Sequence, residues 1–336
     1  MALTQDRTIE RLVIGALGES GAKALQALSI DGKLLAESGE TVSRAAFAMA
    51  LNVVLFDDLL RRVPSGAAYV ADTLARGGRV TFDHGALRTI RFAQGPTGAL
   101  PAGQDAFERI FAPLGYHMAG VYPLPALKMT GRAYAHGDAP EAIPQFFLSE
   151  LHVDQFDADF AAAAGRVFGT SRDPLDATTI ATLDAFAAKG SVPFADALAA
   201  LPVIATAFGR QHAPATVADY EALLAQSGEA AWIATEGNAF NHATDRVPDV
   251  ETLAARLKSE GHPMKDKVEV SGSGRVRQTA FKADSVDRAF AGGVTRSVPG
   301  SFYEFISRDD DPATGTLDLR FDSGNATGIF AMTRTA

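Results

Sequence analysis

Two histidines and one glutamate stand where metal chemistry could be built. His84 lies in TFDHGALRTI with Arg88 four positions on, His242 lies in EGNAFNHATDRV, and Glu304 lies in GSFYEFISR. Period-two alternation along a strand puts Phe302, Glu304 and Ile306 on one face. A carboxylate between two apolar neighbours is either at an exposed edge or buried with a purpose. Two imidazoles and one carboxylate can form a three-ligand face with open coordination positions, which oxygen-using non-haem Fe(II) enzymes require. The three are far apart in the chain, so spacing alone does not select them from the other carboxylates or from His117, His136, His152, His212 and His262. Arg88 raises a separate question. A permanent guanidinium charge in an apolar segment is costly unless something negative sits beside it, from the protein or from a ligand. Gln278 and Thr279, in RVRQTAFKA, could offer hydrogen bonds nearby.

Composition narrows the field. The chain has 336 residues, 47% hydrophobic and 21% charged, enough for a sizeable core. Its formal charge of −9 argues against a nucleic-acid groove or an anionic membrane surface as the main partner. Cysteine is absent, which removes disulfides, thiolate metal sites and a cysteine nucleophile, so a metal must take histidine and carboxylate ligands. No GxSxG elbow, P-loop or HExxH occurs. SGSGRVR at 271–277 reads as a hairpin turn, since no helix follows it to make a phosphate cradle. Asp309-Asp310-Asp311 reads as a solvated turn. The N-terminal MALTQDRTIERLVIGALG lacks a signal-peptide layout and no run of about 18 apolar residues suggests a span, so a cytoplasmic protein is expected.

The elements that must position these residues follow from the pattern. Residues 1–78 read as helical, with RTIERLVIGALGESGAKALQAL amphipathic and AAFAMALNVVLFDDLLRRV well buried up to the Pro64-Ser65-Gly66 break. Strand character begins in RVTFDHGALRTIRFA and continues in HMAGVYPL, KMTGRAYAH and IPQFFLSELHV. Residues 155–230 are alanine-rich and helical, with Thr216 and Asp219 resembling a capping box. A helix is expected at VPDVETLAARLKSEG, and strands at DKVEVSG, RVRQTAFKA, GSFYEFISR, LDLRFDS and GIFAMTR. No fixed-period repeat appears. The expected architecture is α+β: a strongly bent antiparallel sheet surrounded by helices, in one catalytic domain over 1–336. Within it, 1–78 forms an N-terminal helical part, 155–230 a helical lobe, and 79–154 with 231–336 the central sheet.

Several phrases taken together resemble the 2-oxoadipate dioxygenase/decarboxylase family, also called hydroxyglutarate synthase and formerly grouped with glyoxalase relatives. They are TFDHGALRTIRF, TEGNAFNHATDRV, GHPMKDKVEVSGSGRVRQTAF, SVPGSFYEFISR and SGNATGIFAMTR. The resemblance implies a half-open barrel of βαβββ-like units, as in the vicinal-oxygen-chelate superfamily. It implies an Fe(II) site held by His84, His242 and Glu304, and Arg88 as the group that binds a substrate carboxylate; Gln278 is a further substrate-binding candidate. The implied reaction takes 2-oxoadipate and O2 to 2-hydroxyglutarate and carbon dioxide, within lysine breakdown. Two other readings stay open. A glyoxalase-like lyase or isomerase using zinc or nickel would bring a fourth protein ligand to the site. A non-catalytic acid-binding protein of the same fold would bind the diacid without turnover.

Overall fold

The computed structural model describes residues 6–322. The expected GIFAMTR strand lies outside the described residues. Among those residues, no helix is long and apolar enough to cross a membrane.

The N-terminal part is helical, as its pattern predicts, with one short strand. Helices α1 (Thr8–Leu17) and α2 (Glu19–Ala27) are separated at Gly18, whose φ of 62° is left-handed and suits a residue without a Cβ. Then come α3 (Gly32–Leu35), β1 (Thr41–Ser43) and α4 (Arg44–Arg62). The Ser43 hydroxyl caps α4 by accepting from the Ala46 N–H. Pro64 does not merely break the chain: it starts α5 (Pro64–Ala75), where its fixed φ fits the first turn.

The first sheet segment is β2 (Phe82–Arg91), α6 (Asp105–Phe111), β3 (Tyr116–Leu124), β4 (Met129–His136) and β5 (Gln145–His152). The alanine-rich stretch follows as α7 (Ala158–Phe168), α8 (Ala177–Lys189), β6 (Ser191–Pro193), α9 (Phe194–Thr206), α10 (Val217–Leu224) and α11 (Gly228–Glu236). The second sheet segment is β7 (Phe240–Arg246), α12 (Val250–Ser259), β8 (Glu269–Val270), β9 (Val276–Ala280), a hairpin of β10 (Ser285–Ala289) and β11 (Thr295–Pro299), and β12 (Phe302–Arg308). Two short strands, β13 (Asp310–Asp311) and β14 (Thr316–Leu317), pair with each other.

Eight strands form one curled sheet in the order β3-β4-β5-β2-β7-β12-β9-β8. It consists of two βαβββ units joined where β2 meets β7, as the family resemblance implies. The sheet is mixed, which corrects the antiparallel expectation. In each unit a helical crossover and two hairpins bring the last strand back beside the first, pointing the same way. The pairings β2–β5 and β7–β12 are therefore parallel, while β2–β7 is antiparallel.

One face of the sheet packs on helices. Tyr303, Phe305, Phe82 and Phe240 point there, against Phe56 and Tyr69. Gly85 is needed for that closeness, because a Cβ there would come within 2.3 Å of the Phe240 ring. The alanine-rich stretch packs in two directions. Helices α8 and α9 share the core of α1 and α4, with Phe186 against Phe47 and β6 paired to β1. Helices α7, α10 and α11 build a second core with Trp232, Phe160 and the β10–β11 hairpin's Phe290 and Val298. The Thr216–Asp219 cap is present, with the threonine hydroxyl accepting from the Asp219 N–H.

Candidate metal centre

The concave face of the sheet brings His84, His242 and Glu304 together. Each offers one ligand atom, and the three atoms lie within 4.8 Å of one another. Register explains the convergence. On the central strands His84 lies opposite Thr244, Ala86 opposite His242, and Glu304 opposite Thr244 from the other side. All three residues are buried, at 3%, 5% and 1% exposure. Glu304 Oε2 is 2.8 Å from His242 Nε2 and 3.9 Å from His84 Nε2. The Thr244 hydroxyl lies 3.1 Å from His84 Nε2 and donates to Glu304 Oε2 at 3.2 Å. Burial pushes the His242 imidazole below its ordinary pKa, against the pull of Glu304. A neutral imidazole keeps the lone pair that a metal needs.

Each histidine is held by the residue before it. His84 Nδ1 is 2.8 Å from Asp83 Oδ1, and His242 Nδ1 is 2.9 Å from Asn241 Nδ2. Strict alternation would send Asp83 and Asn241 to the opposite face. Both sit at irregularities of the β2–β7 pairing, between Phe82 and His84 and opposite the Ala86–Leu87 step. A bulge inserts an unpaired residue and re-aims its side chain. Asn241 Oδ1 is buried without a hydrogen-bond partner among the described residues. With its amide turned end for end, Oδ1 accepts from Nδ1–H and leaves Nε2 free to ligate, as outer partners of metal-bound histidines commonly do.

Asp83 is itself held. Arg308, its side chain fully buried, donates Nε and NH2 to the carboxylate at 2.9–3.1 Å. Burial pushes the Asp83 carboxyl up, but the guanidinium and the neighbouring imidazole bring it well below the ordinary range. The site fits a divalent ion on its own terms: two imidazoles, one charged carboxylate, and a partner for each outer ring nitrogen.

A pocket opens beside these residues, lined by Ala86, Phe147, Ser149, Gln278, Phe321 and Asp322 in addition to the ligand candidates and Asn241. Arg88 shares the strand face of His84 and Ala86 and lies opposite Ser149 on β5. Its side chain is fully buried, with the guanidinium carbon 4.9 Å from the centre of the Trp232 ring. That geometry is a cation–π contact. Asn238 holds the Arg88 carbonyl at 2.7 Å.

A family model described as 2-oxoadipate dioxygenase/decarboxylase matches residues 65–310, both sheet units included. The chain belongs to this family. A chloroplastic 2-oxoadipate dioxygenase/decarboxylase of Arabidopsis thaliana is 26% identical over 284 residues, covering 76% of this chain and 68% of the relative. A Mycobacterium tuberculosis relative of the same name is 28% identical over 276 residues, 77% of this chain but only 60% of the relative's length. Among solved structures, a protein of Ralstonia eutropha JMP134 assigned to the glyoxalase superfamily matches with a TM-score of 0.90 at 50% identity, over 96% of this chain and 100% of that one. Hydroxyglutarate synthase from Oryza sativa, crystallised with 2-oxoadipate, matches with a TM-score of 0.69 at 20% identity, over 89% and 97%. At that identity the likeness is one of fold.

For this 2-oxoadipate dioxygenase/decarboxylase family member, the structure brings His84, His242, Glu304 and Gln278 to one pocket and sets Arg88 on the same sheet face. Thr279 turns away and bonds the Lys267 carbonyl. Tyr303 points into the helical core, as alternation predicts. His242 lies in the strand β7, just ahead of helix α12. Asp309 and Asp310 are exposed, as expected of a solvated acidic run, but the run enters the short strand β13 and is ion-paired: Arg277 grips Asp309 through both oxygens at 2.7 Å, and Arg320 pairs with Asp311 at 2.7 Å. Asp83, Asn241, Ser149, Trp232 and Phe321 are additions to the site. A repeated signal pointed to two of them, since DHGALR and NHATDR share an Asp or Asn before the histidine and an arginine four after it.

Proposed function

We propose that this chain is an Fe(II)-dependent dioxygenase/decarboxylase that converts 2-oxoadipate and O2 to 2-hydroxyglutarate and carbon dioxide. The observation that carries the reading is the meeting of three ligand atoms within 4.8 Å on the sheet face that also carries Arg88. His84, His242 and Glu304 would hold the ion and leave its remaining positions free for a 2-oxo acid and oxygen. Bound there, the iron supplies the redox chemistry between dioxygen and the 2-oxo acid.

The protein's own residues do the rest. A guanidinium fork matches a carboxylate in bidentate fashion. Arg88 would therefore hold the far carboxylate of a diacid whose near end lies at the triad. Trp232 beneath it keeps the guanidinium in place. Gln278, buried and lining the pocket, would bond a substrate oxygen. Phe147 and Phe321 wall the pocket with apolar surface and exclude water from the reacting end. The balance is simple: one carbon leaves as carbon dioxide, and both atoms of O2 are retained between that carbon dioxide and the hydroxy acid. A place in lysine breakdown rests on the same substrate assignment.

A four-ligand lyase site finds no support. Among the described residues, His84, His242 and Glu304 are the one group of metal-binding types placed to share an ion. The test is anaerobic loading with Fe(II), then oxygen and 2-oxoadipate, with product mass analysis. The expected result is one carbon dioxide and one 2-hydroxyglutarate per O2 consumed. Binding of 2-oxoadipate with no carbon dioxide released would overturn the reading in favour of an acid-binding protein.

A further inference from the structure

Arg308 makes more contacts than an ion pair requires. Its Nε and NH2 bind Asp83, whose Oδ1 holds His84 Nδ1. Its NH1 donates to two backbone carbonyls, Asp318 at 2.8 Å and Arg320 at 2.9 Å. Those carbonyls belong to the segment 309–322, whose last two residues, Phe321 and Asp322, line the pocket. The Phe321 ring stands edge-on to His84 at 4.8 Å and packs on Phe147 at 4.8 Å. The guanidinium carbon of Arg308 lies 5.1 Å from the same ring.

Elsewhere the segment is fastened to both sheet units. The Phe321 N–H donates to the Tyr122 hydroxyl, and Asp322 accepts from the Gly272 N–H at 2.9 Å. Arg275 holds Asp318 at 2.8 Å. Two of these ties are single hydrogen bonds between a side chain and the backbone, and the third pairs a partly exposed arginine with the buried Asp318. Arg308 is the buried node where the strap and the histidine partner meet.

We propose that Arg308 is a positioning residue that couples closure of the 309–322 strap over the pocket to the orientation of His84. The inference rests on the reading that His84 is a metal ligand. When the strap lies down, its carbonyls fix one edge of the guanidinium, and the opposite edge then presents Asp83 squarely to Nδ1. Metal binding, which demands that His84 orientation, in turn favours the closed strap. The coupling is reciprocal by linkage, so whatever factor the strap adds to metal affinity, the metal adds to strap closure.

Hydrogen exchange of peptides covering 309–322, with and without Co(II), tests this alongside Co(II) titration by visible absorption. In the wild-type chain Co(II) should slow strap exchange about fivefold or more. Arg308→Lys keeps the charge but cannot span both edges. It should weaken Co(II) binding about 10–100-fold, the usual effect of losing an outer partner, and abolish the metal-dependent slowing. Asp83→Asn should do the same from the other side, and serves if the lysine variant does not fold. A purely structural arginine would speed exchange throughout the second unit and leave the metal-dependent difference intact; that result overturns the proposal. So does wild-type Co(II) affinity in both variants. His84→Ala separates the two levels: if it binds Co(II) as tightly as wild type, the triad reading itself falls and takes the coupling with it.

Discussion

Matched by strand register, His84 on β2 corresponds to His242 on β7, Asp83 to Asn241, and Arg88 to Arg246. Phe147 on β5 lies opposite Ala86, two residues after the first histidine, and Glu304 on β12 lies opposite Thr244, two residues after the second. The units thus carry like residues at like positions and differ at the last strand. The second contributes a carboxylate to the centre; the first contributes a phenyl ring. Their arginines part as well. Arg88 lies buried over Trp232, while Arg246 turns outward to the Glu141 carbonyl at 3.2 Å and stands 3.7 Å from Asp83. A site that was fully symmetric would surround a metal with four side chains. Replacing one by an apolar ring leaves room on the side that also carries the arginine.

The comparison breaks hardest at Glu304. Glu304→Ala should lose metal binding and turnover by more than the roughly 100-fold that removal of an outer partner costs, measured by metal stoichiometry and oxygen uptake. Making the units alike should be nearly as damaging. Phe147→Glu restores the symmetric position, and is expected to tighten Co(II) binding while turnover of the 2-oxo acid collapses. Retained turnover in that variant would mean the ring is not what keeps the site open.

The arginines sharpen the contrast. Arg88→Ala should lower kcat/KM for the diacid by about 2–5 kcal/mol, as for a desolvated charge pair, with bound metal unchanged. Arg246→Ala should cost under about 1 kcal/mol, since its contacts are partly exposed. If Arg88→Ala strips the metal instead, its role has been misassigned.

A separate effect concerns stability rather than turnover. Asp245 stands where the first unit has Leu87, three residues after the histidine, on the helix-packed face. Burial pushes its carboxyl up to about 7, although the Tyr69 hydroxyl and the Thr81 N–H both donate to it. Because the folded value lies above the unfolded one, the folded state holds the proton more tightly. The stability this contributes is complete below about pH 4 and is lost as the pH rises to 7, by at most about 4 kcal/mol. Asp245→Asn, which resembles the protonated acid, should flatten that part of a Tm-against-pH curve. An unchanged slope would mean the acid titrates normally.

Much of this site was legible in the sequence, and the remainder was hidden for physical reasons. His84, Arg88 and Glu304 stand in segments with clear strand character, so alternation gives their faces correctly. FNHATDR does not look like a strand, because its Asn and Asp are depleted in strands and its run of polar residues lacks an apolar alternation. His242, Asn241 and Thr244 are buried beside the candidate site, Asp245 is buried on the helix-packed face, and Arg246 is partly exposed. Asp83 and Asn241 were invisible to alternation because bulges re-aim them. LDLRFDS reads as a strand, yet among its described residues only Leu317 is in one, paired as part of Thr316–Leu317, and the Asp318 and Arg320 carbonyls bond a side chain. The β10–β11 hairpin alternates only weakly, and its Phe290 and Val298 find their core in the distant helices α7, α10 and α11.

Trp232 belongs to α11, outside both repeated units. If Arg88 holds the far carboxylate as proposed, the far end of the substrate would be gauged by a stretch of chain that plays no part in gripping the ion. Drift in that helix can lengthen or shorten the acid accepted while the ligand set stays fixed, so relatives with one metal chemistry and different chain-length tastes should differ first around this tryptophan.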